Sequence, residues 1–324
     1  MTIKRIGVLT SGGDAPGMNA CVRAVVRTAT FHGVEVAGIY EGYQGMIRGE
    51  IKELTTRDVG GIIQRGGTML QTARSEEFRT KQGQREAIRE LNENKIDGVI
   101  VIGGDGSLNG ARALASYGVK VIGVPASIDN DIWGTELSIG VDTALNTIIT
   151  AIDQLRDTAS SHNRAFIIET MGRNCGYLAQ VSAIISGAEM VLLPEVEVEI
   201  QAVAKVIEDS YIKGKNQAII VVAEGAPFRG TELAQQLKNL DVGFHTRVTI
   251  LGHIQRGGHP TAFDRLLATR MGASAVEGLL NGSRYISPHF NAVITSVSPL
   301  SKPSTALAPI LVANNRAKAV GCPP

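Results

Sequence analysis

The sequence predicts an α/β fold of two three-layer domains with largely parallel sheets. Its 324 residues correspond to about two domains by the usual length prior. Hydrophobic residues make up 44% of the chain and charged residues 19%, so there is ample apolar surface for packed cores and no signature of disorder. Short apolar segments alternate with helical patterns, which is typical of βαβ units and parallel sheets.

Short, β-branched apolar segments predict the strands. Each is too short for a typical helix, and their near-continuous apolarity suits strands that are covered on both faces. They are residues 6–9, 34–40, 99–102, 119–124, 166–168, 190–193, 219–222 and 248–251. Helical periodicity lies between several of them: apolar residues recur on one side of a helix from Val22 to Ala29, and again from Leu145 to Leu155.

Charge and cysteine content exclude several classes of protein. The net charge of +1 argues against a generally basic protein for nucleic acids or membrane surfaces, so any anion site must be local. The three cysteines show no CxxC or metal-ligand spacing, which indicates reduced thiols. No signal-peptide pattern opens the chain and no apolar stretch is long enough to span a membrane. We expect a cytoplasmic protein.

The loops that follow the predicted strands carry the chemistry. Ligands of parallel sheets bind beyond the carboxyl ends of the strands, and glycine, carboxylates, hydroxyls and arginine gather there. The loops read "TSGGDAPG", "GGDGS", "PASIDND", "ETMGRN", "EGAP" and "GHIQRGG". From about residue 282 the tail has scattered Pro, Ser and Ala without a recognisable strand or helix.

The stretch "VIVIGGDGSLNG" indicates a phosphate-binding loop. Its glycines follow a strand and precede a helix, with Ser107 as the expected N-cap, so backbone N–H groups could approach a polyphosphate. A tight strand-to-helix turn is the structural alternative, and a dinucleotide loop is the functional one. Asp105 favours a metal–nucleotide loop, because Mg²⁺ can bridge a carboxylate and phosphate oxygens. Arg74 could reach a phosphate or lie in solvent.

The stretch "SIDNDI" places Asp129 and Asp131 after a buried strand. An aspartate there could remove the proton of an acceptor hydroxyl, as in protein kinases, while two turn-forming aspartates are the alternative. Cations follow other strands at Arg173, His253 and Arg256. Because arginine can bind phosphate oxygens and neutralise transition-state charge, these cations favour the catalytic interpretation.

Taken together, these loops resemble the bacterial ATP-dependent 6-phosphofructokinases. The matching segments, in order, are "TSGGDAPGMNA", "IGGDGS", "SIDNDI", "RDTASSH", "MGRNCG" and "LGHIQRGG". The resemblance extends from about residue 3 to about residue 280 and implies a phosphofructokinase-like fold. It implies transfer of the γ-phosphoryl group of MgATP to the 1-hydroxyl of fructose 6-phosphate, the committed step of glycolysis.

The resemblance also implies roles for single residues. Asp129 would be the general base, Arg173 would stabilise the transferring phosphoryl group with Ser127 beside it, and Asp105 would hold Mg²⁺. The ATP site would comprise Gly12, Arg74, Gly104, Asp105, Gly106 and Ser107. The fructose 6-phosphate site would comprise Ser127, Asp129, Met171, Gly172, Arg173, Glu224, His253 and Arg256, with Arg164 and Arg247 supplied by a neighbouring subunit of a homotetramer.

An allosteric site for ADP or phosphoenolpyruvate is implied between subunits. Its residues would be Arg23, Arg27, Arg156, Gly187, Glu189, Lys213 and Lys215. Arg23 and Arg27 are spaced i, i+4 and so share one helix face, for which an ordinary solvated surface is the alternative. The implied domains are residues 1–138 with about 252–300 for ATP, and 139–251 for fructose 6-phosphate, which the tail could join.

The residues leave three other functions to be weighed. A pyrophosphate-dependent relative would typically have lysine and aspartate where this chain has Ala126 and Gly106, so both residues favour ATP. A catalytically silent regulatory subunit would be expected to lack Asp129, Asp105 or Arg173, and all three are present. A dinucleotide-dependent dehydrogenase is disfavoured by Asp105, because a carboxylate in a pyrophosphate loop needs a metal partner.

Overall fold

The structure is a computed structural model that describes residues 3–162, 164–240, 242 and 245–282. Strands β1 to β9 are Arg5–Ser11, Glu35–Ile39, Ile51–Leu54, Gly98–Gly103, Lys120–Pro125, Arg164–Thr170, Met190–Leu192, Gln217–Ala223 and His245–Ile250. Helices α1 to α9 are Met18–Phe31, Gly42–Arg48, Lys81–Glu93, Asp105–Ser116, Val141–His162, Tyr177–Ser186, Ile200–Ile212, Gly230–Lys238 and Ala262–Leu280. Two short 3₁₀ turns cover Glu77–Arg79 and Gly252–Gln255.

The described residues divide into two compact units. Unit 1 comprises residues 3–128, 134–143 and 256–282, and unit 2 comprises 129–133, 144–162, 164–240, 242 and 245–255. The break after Ile128 puts Ser127 in unit 1 and Asp129 in unit 2. The predicted domain boundaries differ in detail from this division and remain a prediction.

Unit 1 is built on a five-stranded sheet in the order β3-β2-β1-β4-β5. All neighbouring strands are parallel except the pair β2 and β3. One face packs against α2, α3 and α4 through a cluster that includes Leu9, Val101, Met46, Leu91 and Leu114. Helices α1 and α9 pack against each other and against the sheet. Strand β1 contacts α1 and α2, and strand β4 contacts α4 and α9, which is why β1 and β4 are buried along almost their whole length.

Unit 2 is built on a fully parallel four-stranded sheet in the order β7-β8-β6-β9. Helices α7 and α8 pack on one face, where Ile167, Ile220, Val203 and Leu233 are fully buried. Helix α6 packs against β6, β7 and β8. Strand β9 is an edge strand and is the most exposed of the four. Its position places the Gly252–Gln255 turn beside the loop that follows β6.

The predicted strands and the two helical patterns are confirmed, and so is the α/β class with largely parallel sheets. Strand β3 was not predicted, because its sequence Ile-Lys-Glu-Leu is apolar only at its ends. The prediction that Ser107 is an N-cap is wrong: helix α4 begins at Asp105 after an extended Gly104, so Ser107 lies in the first turn. The tail after residue 282 lies outside the described residues.

Candidate active site

Two glycine loops meet at the carboxyl ends of β1 and β4 in unit 1. These strands are sheet neighbours, with Ser11 in register with Gly103. A Cβ on Gly103 would lie 2.5 Å from the Ser11 carbonyl oxygen, and one on Gly12 would lie 3.1 Å from Ser107 Oγ. Gly12 also has a φ of 86°, which favours glycine. The absence of side chains at both positions therefore allows the loops to approach closely.

The N-terminus of α4 opens this cradle to solvent. Asp105 and Gly106 are exposed, and among the described residues no heavy atom outside the chain neighbours and backbone of α4 lies within 4 Å of the position of a Gly106 Cβ. Helix N-termini present N–H groups without intrahelical partners and favour anions. Buried Ser127 lies beside the same turn, because a Cβ on Gly104 would lie 3.6 Å from Ser127 Oγ. The arrangement suits a chain of phosphate groups.

Asp105 is the carboxylate of this loop. Its side chain accepts a hydrogen bond from Asn109 Nδ2 at 3.1 Å. Among the described residues no cluster of three or more His, Cys, Asp and Glu side chains could hold a metal ion. Mg²⁺ is often bound by only one or two carboxylates together with substrate phosphates and waters. An exposed single carboxylate beside an anion cradle fits that donor set.

Two arginines of unit 1 were predicted to bind phosphate. Arg74 is exposed in the segment before the Glu77–Arg79 turn. Arg256 Nη1 donates to the Asp14 carbonyl at 3.4 Å, and a Cβ on Gly13 would lie 2.2 Å from the same nitrogen. Arg256 therefore lies against the first glycine loop, whereas its predicted companion His253 belongs to unit 2 and is exposed.

Unit 2 brings Asp129 and Arg173 together. Arg173 Nε lies 4.0 Å from Asp129 Oδ2, and the Asp129 side chain is 5% exposed whereas that of Arg173 is 66% exposed. Such a pair adds little stability, because the guanidinium remains largely hydrated. Its chemical value is the juxtaposition of a buried carboxylate, suited to accept a proton, with an exposed cation that can reach an anionic substrate.

The loop that carries Arg173 has an unusual backbone. Gly172 and Arg173 have φ values of 142° and 53°, and a left-handed conformation is uncommon for arginine. Glu224 Oε1 accepts hydrogen bonds from the backbone N–H groups of Gly172 at 3.2 Å and of Arg173 at 2.7 Å. Glu224, predicted to contact the sugar, thus also holds the loop that presents Arg173 and Met171.

Arg164 and Arg247 lie elsewhere in unit 2. Arg164 is the first residue of β6, six residues before Thr170, which is roughly 20 Å at about 3.3 Å per residue. Arg247 is paired with Phe166, near the same end of the strand, and is exposed on the edge strand. Within this chain, the structure therefore does not bring these two arginines to the end of the sheet that carries Arg173 and Glu224.

The predicted effector residues form smaller groups. Arg156 Nη2 donates to the Ser186 carbonyl at 2.6 Å and to the Gly187 carbonyl at 3.4 Å, at the end of α6. Lys215 Nζ lies 3.1 Å from Glu189 Oε1, and Glu189 Oε2 accepts from the Ile219 N–H at 2.6 Å. Three residues of the predicted set remain. Lys213 directly follows α7 as its C-cap, and Arg23 and Arg27 lie on α1 in unit 1.

Sequence reasoning missed two residues that support these loops. The buried Tyr43 hydroxyl donates to the Ser107 carbonyl at 2.6 Å, and its ring stacks on Phe78 with centroids 4.1 Å apart. Burial raises the pKa of Tyr43 above its usual range, so the hydroxyl stays a donor. Gln255, in the turn after β9, accepts from the Met171 N–H. The only sequence feature that could have pointed to Tyr43 and Gln255 is that each lies shortly after the end of a strand.

Comparisons with known proteins agree with this geometry. The model of the phosphofructokinase family matches residues 5–279. The ATP-dependent 6-phosphofructokinase of Halalkalibacterium halodurans is 54% identical over 280 residues, which cover 86% of this chain and 87% of that protein. The enzyme of the same name from Shouchella clausii is 55% identical over 280 residues, with the same coverage of both chains.

A solved structure agrees at the level of the fold. Phosphofructokinase from Saccharomyces cerevisiae superposes with a TM-score of 0.81 at 40% identity, over 86% of this chain and 42% of the yeast chain. This chain therefore spans less than half the length of the yeast protein, although it spans most of the bacterial relatives. The family match covers the glycine loops, the Asp129–Arg173 pair and the loops that support them, and the chain belongs to the phosphofructokinase family.

Proposed function

We propose that this protein is an ATP-dependent 6-phosphofructokinase, which transfers the γ-phosphoryl group of ATP to the 1-hydroxyl of fructose 6-phosphate. The products are fructose 1,6-bisphosphate and ADP. The observation that carries the proposal is the buried Asp129 carboxylate 4.0 Å from the exposed Arg173 guanidinium. More than half of the 280 aligned residues are identical in bacterial proteins that are named ATP-dependent 6-phosphofructokinase, which supports ATP as the donor.

Asp129 acts as the general base. As the 1-hydroxyl oxygen forms its bond to the γ-phosphorus, Asp129 takes the hydroxyl proton. The bond between the γ-phosphorus and the bridging oxygen breaks, and ADP leaves with the electron pair. Arg173 stabilises the negative charge on the transferring group. The Glu224 hydrogen bonds that hold the Arg173 backbone reduce the reorganisation that this step requires.

The glycine loops of unit 1 bind the nucleotide. Gly12, Gly104 and Gly106 let the phosphates approach the backbone at the N-terminus of α4, where Ser107 lies in the first turn. Arg74 contributes its guanidinium to the nucleotide site, and the Ser127 hydroxyl beside Gly104 orients the transferring phosphoryl group. Mg²⁺ is the expected cofactor, and when bound it neutralises phosphate charge. Asp105 would hold it, and the exposure of this carboxylate beside the phosphate cradle fits that role.

The acceptor sugar phosphate is bound through Met171, Gly172, Glu224, His253 and Arg256. Arg164 and Arg247 bind the 6-phosphate of the sugar that lies in the active site of a neighbouring subunit. The enzyme is accordingly a homotetramer whose subunits share active sites. Both arginines lie near the amino-terminal end of β6. Neither can reach the carboxyl end of the sheet in its own chain, where Arg173 lies, which supports this assignment.

Regulation and location follow the same resemblance. ADP or phosphoenolpyruvate binds at the basic residues Arg23, Arg27, Arg156, Lys213 and Lys215, together with Gly187 and Glu189. The contacts of Arg156 with Gly187 and of Lys215 with Glu189 support two parts of this site. No helix in the described ranges has the length and apolarity needed to cross a membrane. The proposed location is the cytoplasm, without nucleic-acid or membrane partners.

The decisive experiment is product formation by the purified protein with Mg²⁺ and fructose 6-phosphate, with ATP and pyrophosphate offered in separate reactions. We expect turnover with ATP alone. Turnover with pyrophosphate would reject the donor assignment based on Gly106 and Ala126. An absence of turnover with both donors would reject the enzyme assignment in favour of a silent regulatory subunit.

A further inference from the structure

The backbone turn after β6 is held by side chains from two other loops. Three consecutive N–H groups, those of Met171, Gly172 and Arg173, donate to side-chain oxygens. Gly172 and Arg173 bond to Glu224, while Met171 bonds to Gln255 Oε1 at 3.3 Å. The turn therefore takes its conformation from side chains that are distant in sequence.

The sheet order explains why both side chains reach the turn. Strand β6 lies between β8 and β9 in unit 2. Glu224 is the residue directly after β8, and Gln255 ends the turn that follows β9. Since all three strands are parallel, their carboxyl ends meet at one edge, and the Arg173 turn is supported from both sides.

Gln255 is fully buried, and both ends of its amide are used. Its Oε1 accepts from Met171, and its Nε2 donates to the Gly252 carbonyl at 3.0 Å. Gly252 begins the Gly252–Gln255 turn, which also carries His253. One amide thus connects the Arg173 turn with the turn that presents His253. A buried amide that donates and accepts in this way specifies a single arrangement.

The Arg173 turn needs such support. Arg173 has a φ of 53° and the preceding Gly172 has a φ of 142°. Conformations of this kind persist only where their surroundings determine them. The backbone of Gly225 also packs closely on the turn, because a Cβ on Gly225 would lie 2.1 Å from the Arg173 carbonyl oxygen. Loss of one support would release the segment that positions the Arg173 guanidinium.

We infer that Gln255 is a positioning residue for phosphoryl transfer. Its amide fixes the position of the Arg173 turn relative to the His253 turn and does not touch the substrate. This inference rests on the proposed function for its catalytic consequence. The support itself is a property of the fold and can be measured without any substrate.

The first test is kinetic and uses Gln255→Met. Methionine has nearly the same shape and volume but cannot form either hydrogen bond, so a residue that only fills space should tolerate it. We expect kcat with ATP and fructose 6-phosphate to fall about 10- to 100-fold, the scale for a displaced catalytic group. Ser210→Ala, which removes the hydrogen bond from the buried Ser210 to the Val206 carbonyl in unit 2, should leave kcat unchanged.

A double-mutant cycle tests whether Gln255 acts through Arg173. If it does, adding Gln255→Met to Arg173→Ala should change kcat less than about 2-fold, because the group to be positioned is already gone. A Gln255→Met kcat within about 2-fold of wild type, or an equal fold-loss in both backgrounds, would overturn the inference.

Hydrogen exchange separates this inference from the proposed function. The amides of residues 171–173 should exchange slowly in the wild-type protein and at least about 10-fold faster in Gln255→Met, since a buried hydrogen bond is lost. Unchanged exchange in Gln255→Met would refute the support even if the enzyme is active. Wild-type protein without turnover would refute the function, and the exchange rates would still decide on the support.

Discussion

Replacing Asp264 by asparagine tests the buried network that joins two helix starts in unit 1. Asp264 is fully buried in the first turn of α9. Its Oδ1 accepts from the Gly140 N–H at 2.9 Å, and its Oδ2 accepts from the Thr143 N–H at 2.8 Å and from the Thr143 hydroxyl. The carboxylate thereby satisfies N–H groups at the start of α5.

The structure sets the size of the effect. Asparagine has one acceptor oxygen, and its NH₂ group would face at least one of the three donors at Gly140 and Thr143. A buried donor without its acceptor costs about 1–3 kcal/mol, against a typical total stability of 5–15 kcal/mol for a folded protein. For a domain of this size we expect the melting temperature to fall by roughly 2–12 °C.

Asp58 provides a matched control with the same donors in an exposed setting. Its Oδ2 accepts from the Thr55 N–H at 2.8 Å and from the Thr55 hydroxyl at 2.6 Å. Water can replace both hydrogen bonds there, so Asp58→Asn should lower the melting temperature much less than Asp264→Asn. Circular dichroism melts of the two variants and the wild type give the comparison.

The pH dependence of the two losses should have opposite signs. Burial raises the pKa of Asp264, against the hydrogen bonds from Thr143 and Gly140. The folded state then holds the proton more tightly than the unfolded state. The contribution of Asp264 to stability is therefore fully present below the unfolded pKa of about 4, and it declines as the pH rises through the pKa of the folded state. Hydrogen bonds from Thr55 lower the pKa of Asp58, so its contribution is present above the unfolded pKa and declines as the pH falls.

Melting curves between about pH 3 and pH 7 measure both slopes. In the wild type, the Asp264 contribution makes the melting temperature decline as the pH rises above about 4, and Asp264→Asn should reduce that decline. The Asp58 contribution makes the melting temperature decline as the pH falls below about 4, and Asp58→Asn should reduce that decline. Equal losses of melting temperature at the two sites, or slopes of the same sign, would refute the assignment of the difference to burial.

Three further changes test the site, each by steady-state kinetics. Asp129→Asn should lower kcat roughly 10²-fold or more, because it removes the proposed general base; a kcat close to wild type would place the base elsewhere. Arg256→Ala should mainly raise the KM for fructose 6-phosphate, as expected for loss of ground-state phosphate binding; a pure kcat effect would contradict that role. Tyr43→Phe removes the hydrogen bond to the Ser107 carbonyl and should raise the KM for ATP about 3- to 10-fold, whereas an equal rise in the KM for fructose 6-phosphate would indicate a general structural effect.

Local patterns in the sequence were sufficient for most elements of the fold. A strand covered on both faces needs a continuous apolar segment, so β1 and β4 are recognisable from their residues alone. The loops that follow them are equally recognisable, because close backbone approach requires glycine at positions such as Gly12 and Gly103. Asp129 and Arg173 were predicted as site residues from the loops in which they lie, and their side chains lie 4.0 Å apart. The short edge strand β3 was missed, since a solvated strand needs no apolar pattern.

Only the tertiary structure decided which of these loops meet. Arg256 lies against Gly13 although 243 positions separate them, and Asp264 binds Thr143 at a separation of 121 positions. The loop of Arg173 is supported by Glu224 and Gln255 because β6 lies between β8 and β9. Strand order is set by how helices cover the sheet and by long-range hydrogen bonds, and neither leaves a periodic trace in the chain. Local sequence patterns therefore predicted the elements, while the order of the strands decided which loops meet.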